Sequence, residues 1–322
     1  MPPRILFSSL SAKLALYREV ARDAQHFHRD AKVIACDSDP NCAASRDVDY
    51  FIPLPKISEL WDEKLIEICK LHEISHVLPT RDGELLFWAQ KRELLAQHNI
   101  QVWVSNEECI ELCNDKLSFY ESWKNCPIPA IPTYKVLALA DNQASRWAVK
   151  PRLGSGGRMN KLDLNYHEAC NIASSFQDEI IFQPFVSGRE FSAEAWISKD
   201  GRCYGPLLRW RNKVVEGESH QSTVFRNPDW EDRVRNVFLH RPGLFGHCLA
   251  QVLVEKDGTL NLVEINPRLG GASPLALRAG LTSISWHLLQ EAMSQEVIPK
   301  YPPFRDGLFL DKKQGIVSFR MI

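Results

Sequence analysis

The chain has 322 residues, of which 44% are hydrophobic and 25% are charged, and its formal net charge is -1. This length is enough for two or three layered domains, and a balanced charge without a Lys/Arg block disfavours nucleic acid or an anionic membrane as a partner. Nine cysteines without a Cys-x-x-Cys pair indicate reduced thiols and no zinc site. No apolar run approaches a membrane span and no signal-peptide core follows Met1, so we expect a cytosolic protein.

Strands and helices alternate over the first hundred residues. Apolar runs at residues 4–9, 32–36, 75–79 and 101–105 predict strands, with helical apolar spacing between them. The pattern predicts an open α/β sheet that ends near residue 105. Asp82 and Glu84 follow the third of these strands, where they could equally cap the next helix or line a ligand crevice. The first turn has no glycines, which disfavours a dinucleotide site there.

A new unit begins after residue 105. Asn106 is a typical N-cap, and the spacing of Ile110, Cys113, Leu117 and Tyr120 predicts one helix with these side chains on a single face. The proline-rich segment 126–132 cannot be helical and indicates an extended connector into the next domain.

The middle of the chain carries residues suited to a nucleotide. A strand at residues 147–151 includes Lys150 and runs into the loop Gly154, Ser155, Gly156 and Gly157, whose backbone could approach phosphates closely. The loop lacks Walker spacing, and a plain hairpin turn explains it equally well. The apolar strand 180–186 offers backbone to an adenine edge, and Glu190 could bind ribose hydroxyls.

The stretch 260–271 combines a buried strand with polar groups at its end. Glu264 and Asn266 are two residues apart, so on a strand they share a face and offer the hard oxygen ligands that Mg²⁺ takes beside phosphates. Arg268 continues that face and suits a terminal phosphate. The alternative is a hairpin strand with a solvated polar end.

Together these segments resemble the ATP-grasp superfamily, and within it the short carbamoyl-phosphate-synthase-like proteins. The resemblance implies a mixed α/β and α+β fold in three parts: an N-terminal preATP-grasp open parallel sheet at residues 1–105, a small grasp lobe with the glycine loop at 106–185, and a large lobe with the metal site at 186–322. It also implies ATP and Mg²⁺ or Mn²⁺ as cofactors.

The resemblance assigns a role to each matching residue. Lys116 and Lys150 match the cationic phosphate contacts, and Gly154, Ser155, Gly156 and Gly157 match the loop that closes over the phosphates. Gln183, Phe185 and Val186 match the adenine hinge, and Glu190 matches the ribose acid. Glu264 and Asn266 match metal ligands, Gln251 on the preceding strand matches a third, and Arg268 matches the arginine on the transferred phosphate.

The implied activity is an ADP-forming carboxylate–amine ligase. Carbamoyl phosphate synthetases place a further arginine where this sequence has Gly271, which makes bicarbonate a less favoured substrate. Arg209 or Arg211 could grip the carboxylate, unless they only stack on Trp210, and Arg278 is a weaker candidate. A bicarbonate-using enzyme and a nucleotide-binding protein without turnover are the alternatives. The sequence names neither the carboxylate nor the amine, and it leaves a homodimer open.

Overall fold

In the part of the chain that the structure describes, three β-sheets follow one another, and the helices pack against them. The computed structural model describes residues 2–137, 144–154, 159–292, 304–313 and 315–322. Within these ranges, every helix is too short or too polar to cross a lipid bilayer.

The first sheet is parallel, with the strand order β3-β2-β1-β4-β5. Its strands are β1 (Arg4–Phe7), β2 (Lys32–Asp37), β3 (Phe51–Pro53), β4 (His76–Leu78) and β5 (Gln101–Val102). The helices are α1 (Leu14–Phe27), α2 (Asp62–Leu71) and α3 (Asp82–Ala96), with short 3-10 helices at Ala43–Asp47 and Ile57–Glu59. Leu6 packs towards α2 and α3, whereas Ile5 and Phe7 pack towards α1. Both faces are covered, which is why the strands read as continuous apolar runs.

This sheet confirms the predicted fold class and adds one strand to it. The sequence pattern indicated four strands and missed β3, which has only three residues and ends in a proline. A segment that short shows no periodicity, so its pairing with β2 is a tertiary effect.

Two short helices follow where the spacing predicted one. Asn106 caps α4 (Glu107–Asn114) as expected, its side chain accepting from the Cys109 N–H. The helix then breaks at Asp115, whose carboxylate accepts from the Leu117 and Ser118 N–H groups and begins α5 (Lys116–Trp123). The prediction of one continuous helix was therefore wrong, because a second N-cap lies inside the apolar repeat.

The second sheet is small and antiparallel, with the order β7-β6-β8. It consists of β6 (Trp147–Pro151), β7 (Lys161–Leu164) and β8 (Ile180–Pro184), with α6 (Tyr166–Ala173) packed on it. Trp147, Val149 and Phe182 form its core together with Ala169 from the helix.

The third sheet has seven antiparallel strands in the order β13-β12-β9-β10-β11-β14-β15. The strands are β9 (Arg189–Ile197), β10 (Cys203–Val215), β11 (Glu218–Phe225), β12 (Gly246–Val254), β13 (Leu260–Asn266), β14 (Leu308–Lys313) and β15 (Ile316–Met321). The accompanying helices are α7 (Pro228–Leu239), α8 (Ser273–Ala279) and α9 (Ser283–Ala292). Along β9, Ala193 and Ala195 face an apolar core shared with α7, whereas Ser192 and Glu194 face the opposite side.

Helices α4 and α5 belong to the core of this large sheet. Cys109, Phe119 and Trp123 pack with Ala193 of β9 and Val234 of α7. The prediction had assigned these helices to the small lobe, but their apolar faces are buried against the large one. The division of the chain at residues 105 and 185 remains a prediction.

The N-terminal sheet is joined to helices α8 and α9. Leu277 and Ile284 share one apolar core with Ile5 and Phe7 of β1. The Asp23 carboxylate of α1 accepts from the Ile284 N–H at 2.9 Å. Burial raises the pKa of Asp23 to about 6, although the hydrogen bonds that its carboxylate accepts act to lower that pKa. The N-terminal sheet is therefore packed as part of the whole molecule.

Candidate active site

A polar row crosses the large sheet from β13 to β10. In the strand register, Glu264 lies opposite Gln251, Gln251 opposite Ser192, and Ser192 opposite Arg209. Residues directly opposite on antiparallel strands point to the same face. All four side chains therefore line one surface, although they come from four different strands.

The three predicted metal ligands lie together at one end of this row. Gln251 Nε2 donates to Glu264 Oε1 at 2.7 Å, and Asn266 Nδ2 donates to the same oxygen at 2.8 Å. Among the described residues there is no cluster of three or more His, Cys, Asp or Glu side chains suited to a metal. The donor set is one carboxylate and two carboxamides, and each carboxamide can turn its oxygen inward. This set fits Mg²⁺, which takes one or two protein carboxylates and completes its shell with phosphates and water.

Two lysines from outside the large sheet face this carboxylate. Lys150 on β6 donates to Gln183 Oε1 on β8 at 2.8 Å. Burial lowers the pKa of Lys150 to about 8, and the charge of Glu264 opposes that lowering. Lys116 at the start of α5 donates to the Gly154 carbonyl at 2.8 Å, and burial lowers its pKa, again opposed by Glu264. Both ammonium groups therefore lie in the field of Glu264.

The glycine loop begins beside Lys116. Gly154 has φ 101°, a left-handed conformation that favours glycine. The other predicted loop residues, Ser155, Gly156 and Gly157, lie outside the described residues. The structure thus locates the start of the loop, next to the two lysines.

The predicted adenine hinge follows β8. Gln183 is buried and donates through Nε2 to Thr133 Oγ1 at 2.9 Å. The Phe185 N–H donates to the Arg146 carbonyl at 2.9 Å, so in this structure that group is already used. Within the described chain, the Val186 N–H has no hydrogen-bond partner. Val186 therefore suits the adenine contact better than the Phe185 N–H does.

Arg268 connects the large sheet with the N-terminal domain. Its Nε and Nη2 donate to the two oxygens of Asp82, each at 2.5 Å, and its Nη1 donates to the Leu269 carbonyl. Burial disfavours the charged guanidinium, but Asp82 outweighs it and raises the pKa of Arg268. Arg268 is thus fixed beside the cluster of Glu264 and Asn266 by a carboxylate 186 residues away in the sequence.

Glu84, by contrast, forms hydrogen bonds at the start of α3 and at the ends of the neighbouring strands. Its carboxylate accepts from the Thr80 and Arg81 N–H groups and from Ser8 Oγ, at distances of 2.6 to 3.0 Å. The capping alternative therefore holds for Glu84, whereas Asp82 binds the candidate site through Arg268.

Comparisons with protein families agree with this geometry. The family model described as an ATP-grasp domain matches residues 113–272, and the model of the PylC-like N-terminal domain matches residues 5–103. The chain belongs to the ATP-grasp superfamily. This confirms the resemblance found in the sequence.

Solved structures with the same fold cover almost the whole chain. N5-carboxyaminoimidazole synthetase from Staphylococcus aureus, complexed with ADP, superposes with a TM-score of 0.74 over 96% of this chain and 82% of its own, at 15% identity. The biotin carboxylase domain of 2-oxoglutarate carboxylase from Hydrogenobacter thermophilus, complexed with MgADP, ADP and bicarbonate, gives 0.73 over 96% and 74%, at 14% identity. Biotin carboxylase from Campylobacter jejuni gives 0.69 over 96% and 75%, also at 14% identity. A comparison with curated proteins finds no match.

The two arginines of β10 have different surroundings in this ATP-grasp protein. Arg209 is only 1% exposed, and its guanidinium donates to Glu194 Oε1 at 2.6 Å and Ser222 Oγ at 3.2 Å. Substrate could reach it only if these bonds broke. Arg211 Nε lies 3.2 Å from Glu190 Oε2 and its Nη2 donates to the Gly217 carbonyl. Trp210 points to the other face and stacks with Arg189, whose Cζ is 3.9 Å from the ring centroid.

Glu190 lies beside Arg211 at the entrance to β9. Burial raises the pKa of Glu190, and Arg211 opposes that rise. Arg211 and Lys150 are thus among the cations that act on this carboxylate, and its contact with ribose remains a prediction. Arg278 lies elsewhere: it donates to Glu19 of α1 and stacks on Phe319, which removes it from the candidate site.

Sequence reasoning missed two groups of the ATP-grasp site region. Lys13 follows the first strand and donates to the Thr80 carbonyl at 2.7 Å, and burial lowers its pKa to about 8, with Glu84 opposing and Arg268 reinforcing the effect. Glu194 accepts from Arg209 and contacts His247 Nε2 at 2.8 Å. The sequence signals that could have indicated them are the position of Lys13 shortly after β1 and the position of Glu194 inside an otherwise apolar strand.

Proposed function

We propose that this protein is an ATP-dependent, ADP-forming ligase that joins a carboxylate to an amine. A carboxylate oxygen attacks the γ-phosphorus of ATP, giving an acyl phosphate and ADP. The amine nitrogen then attacks the acyl carbon, inorganic phosphate leaves with the C–O electron pair, and the nitrogen loses a proton. The observation that carries the proposal is the convergence of Glu264, Lys116, Lys150 and Arg268 on one place from three parts of the fold.

The nucleotide is proposed for the space between the small sheet and the large one. The relatives complexed with ADP and MgADP support this position by their common fold. Lys116 and Lys150 supply positive charge for the phosphates, the Val186 N–H can meet adenine, and Glu190 can accept from ribose hydroxyls. Glu264, with Gln251 and Asn266, would hold Mg²⁺, which when bound neutralises phosphate charge and favours phosphoryl transfer.

Arg268 is proposed to bind the phosphoryl group that is transferred. A guanidinium has five N–H donors, and Asp82 and Leu269 use three of them in the described structure. The remaining two can reach a phosphate while Asp82 fixes the plane of the group. Preorganised donors of this kind stabilise developing charge without reorganising at the moment of reaction.

Arg211 is proposed to bind the carboxylate substrate. Its Nε is buried, and within the described chain it makes no hydrogen bond of good geometry although Glu190 is near. An unsatisfied buried donor is costly and indicates a position where a ligand group would bind. A carboxylate bound there would lie on the same face as Glu264.

The turn after Arg268 favours a larger carboxylate over bicarbonate. A Cβ placed on Gly271 would lie 2.2 Å from Glu218 Oε1, so a carboxylate fills the space where an arginine side chain would begin. Lys312 donates to that oxygen at 2.8 Å. A negative group there does not help to bind a small anion, which supports carboxylate–amine ligation over bicarbonate chemistry.

The test is the release of ADP by Glu264→Gln. We expect the variant to bind ATP with near-normal affinity and to release no ADP, because adenine recognition depends on backbone groups and phosphoryl transfer on the charge cluster. Asp257→Asn is the matched control, since it removes an exposed carboxylate from the far turn of the same hairpin.

The substrate class is tested separately with the wild-type protein. ADP release is measured with bicarbonate alone and then with mixed carboxylates and amines, with products identified by mass. Turnover with bicarbonate alone would exclude the ligase in favour of a carboxylase. Retained turnover in Glu264→Gln would overturn the assignment of this strand.

A further inference from the structure

A cavity of about 910 Å³ lies away from the candidate active site, where the first sheet meets the large one. Its walls come from α3 and β5 on one side, and from the turn after β9 and the segment after α7 on the other. Lys116, Lys150 and Glu264 do not line it. The volume is in the range of ordinary small-molecule sites, and nothing in the proposed reaction uses it.

The floor of the cavity is apolar and rigid. Val102, Trp103, Ile197 and Leu244 are each 5% exposed or less. The Trp103 indole stacks on His287 with ring centroids 4.5 Å apart, and its Nε1 donates to Glu291 Oε1 at 2.7 Å. Trp103 is thus held on its face and at its edge, and the apolar surface left open to a ligand on this floor belongs to Leu239 and Pro242.

The rim carries cations without ion-pair partners. Arg92, Lys199 and Arg241 line the cavity, and within the described ranges none of them lies within salt-bridge distance of a carboxylate. Burial lowers the pKa of Arg92, and the charges of Glu107 and Glu93 oppose that lowering without cancelling it.

The two carboxylates of the rim are already engaged. Glu291 contacts His76 Nε2 at 2.7 Å in addition to Trp103. Asp200 pairs with Arg202 Nε at 2.8 Å. The cavity therefore presents excess positive charge over an apolar floor.

We propose that this cavity binds a small anionic ligand with an apolar or aromatic body. The cations select a carboxylate, sulfonate or phosphate group at the rim, and burial of the body against Leu239 and Pro242 supplies the area-dependent part of the affinity. A purely polar polyanion would leave this floor uncovered, and a cation would meet like charge. The site is independent of the proposed ligase activity.

The probe is 8-anilinonaphthalene-1-sulfonate, which joins an aromatic body to one anionic group, with uncharged N-phenyl-1-naphthylamine as its matched analogue. Fluorescence titration of the intact protein should show one saturable sulfonate site per chain, weakened by added salt. Lys199→Glu/Arg241→Glu should weaken sulfonate binding by roughly tenfold and change binding of the uncharged analogue far less.

The control variant changes the net charge of the protein by the same amount, but at residues far from the cavity. Arg18→Glu/Arg29→Glu alters two exposed arginines outside the cavity and should leave the sulfonate affinity unchanged. Arg92 is kept because its Nη2 holds the Ser105 carbonyl at 2.7 Å. If Lys199→Glu/Arg241→Glu lowers the melting temperature, the single variant Arg241→Gln is used instead. Its sulfonate binding should be weakened by about two- to fivefold.

Three results would overturn the proposal. One is the lack of a saturable sulfonate site. Another is equal weakening by the cavity pair and the control pair. The third is competitive displacement of the probe by ATP, which would place it in the nucleotide site instead.

Discussion

The buried ion pair of Arg209 and Glu194 allows a quantitative prediction about stability. Glu194 is fully buried, and Arg209 is nearly so. Desolvation would raise the pKa of Glu194, but Arg209 and His247 outweigh it and hold that pKa at about 2 against the usual 4.5. At about 1.4 kcal/mol per pH unit this corresponds to roughly 3 to 4 kcal/mol, shared among all the partners of Glu194. Because the folded-state pKa is lowered, the contribution is present above pH 4.5 and is lost as the pH falls towards 2.

Arg209→Met should therefore destabilise the protein at pH 7. Removing one partner of a buried pair costs about 3 to 5 kcal/mol, which for a chain of this length would lower the melting temperature by roughly 4 to 8 °C. Differential scanning calorimetry measures this directly. Arg209→Met/Glu194→Leu should recover most of the loss, because no unpaired charge stays buried. Lys64→Met is the control, since its pair with Glu67 is exposed on both sides and is worth less than about 1 kcal/mol.

A different outcome would show that Arg209 faces a ligand. If Arg209→Met melts like the wild type but loses affinity for the carboxylate substrate, the guanidinium is available to substrate and the ion pair with Glu194 has no structural role.

Three further predictions concern the candidate site. ATP binding, measured by calorimetry, should weaken above about pH 8 as Lys150 loses its proton, and Lys150→Arg should move that loss to higher pH; a flat wild-type profile would contradict this. Asp82→Asn should lower kcat for ADP release by roughly ten- to a hundredfold with little change in KM for ATP, because Arg268 loses its bidentate partner; an unchanged kcat would exclude that role. Arg211→Lys should raise the KM for the carboxylate and lower kcat/KM by about ten- to a hundredfold, with KM for ATP as the internal control.

Local patterns predicted the strands and the residues at their ends. Alternation along β13 placed Glu264 and Asn266 on one face, and the expected third ligand, Gln251, lies directly opposite Glu264. The placement of these side chains was predictable because strand periodicity and hairpin pairing are properties of short segments, whereas their roles as metal ligands remain predictions.

Long-range partners were not predictable in the same way. Alternation tells which face of β10 carries Arg209 but not whether that face is covered, and its partner Glu194 becomes visible only in the folded sheet. The contact of Arg268 with Asp82 spans 186 residues, and no local pattern links the two. The helix break at Asp115 was not predicted, because the apolar repeat continues through that position.

The contacts of α1 with the last helices have a consequence for folding during synthesis. Asp23 bonds with Ile284 and Ser285, which follow it by 261 and 262 residues. At about 5 to 20 residues per second, the ribosome supplies these partners tens of seconds after α1 has emerged. During that interval α1 alone covers its side of the N-terminal sheet, and the apolar side chains that later contact Leu277 and Ile284 are open to chaperones or to other nascent chains. The N-terminal part of this protein is therefore synthesised first, but its packing is completed only after α8 and α9 have been made.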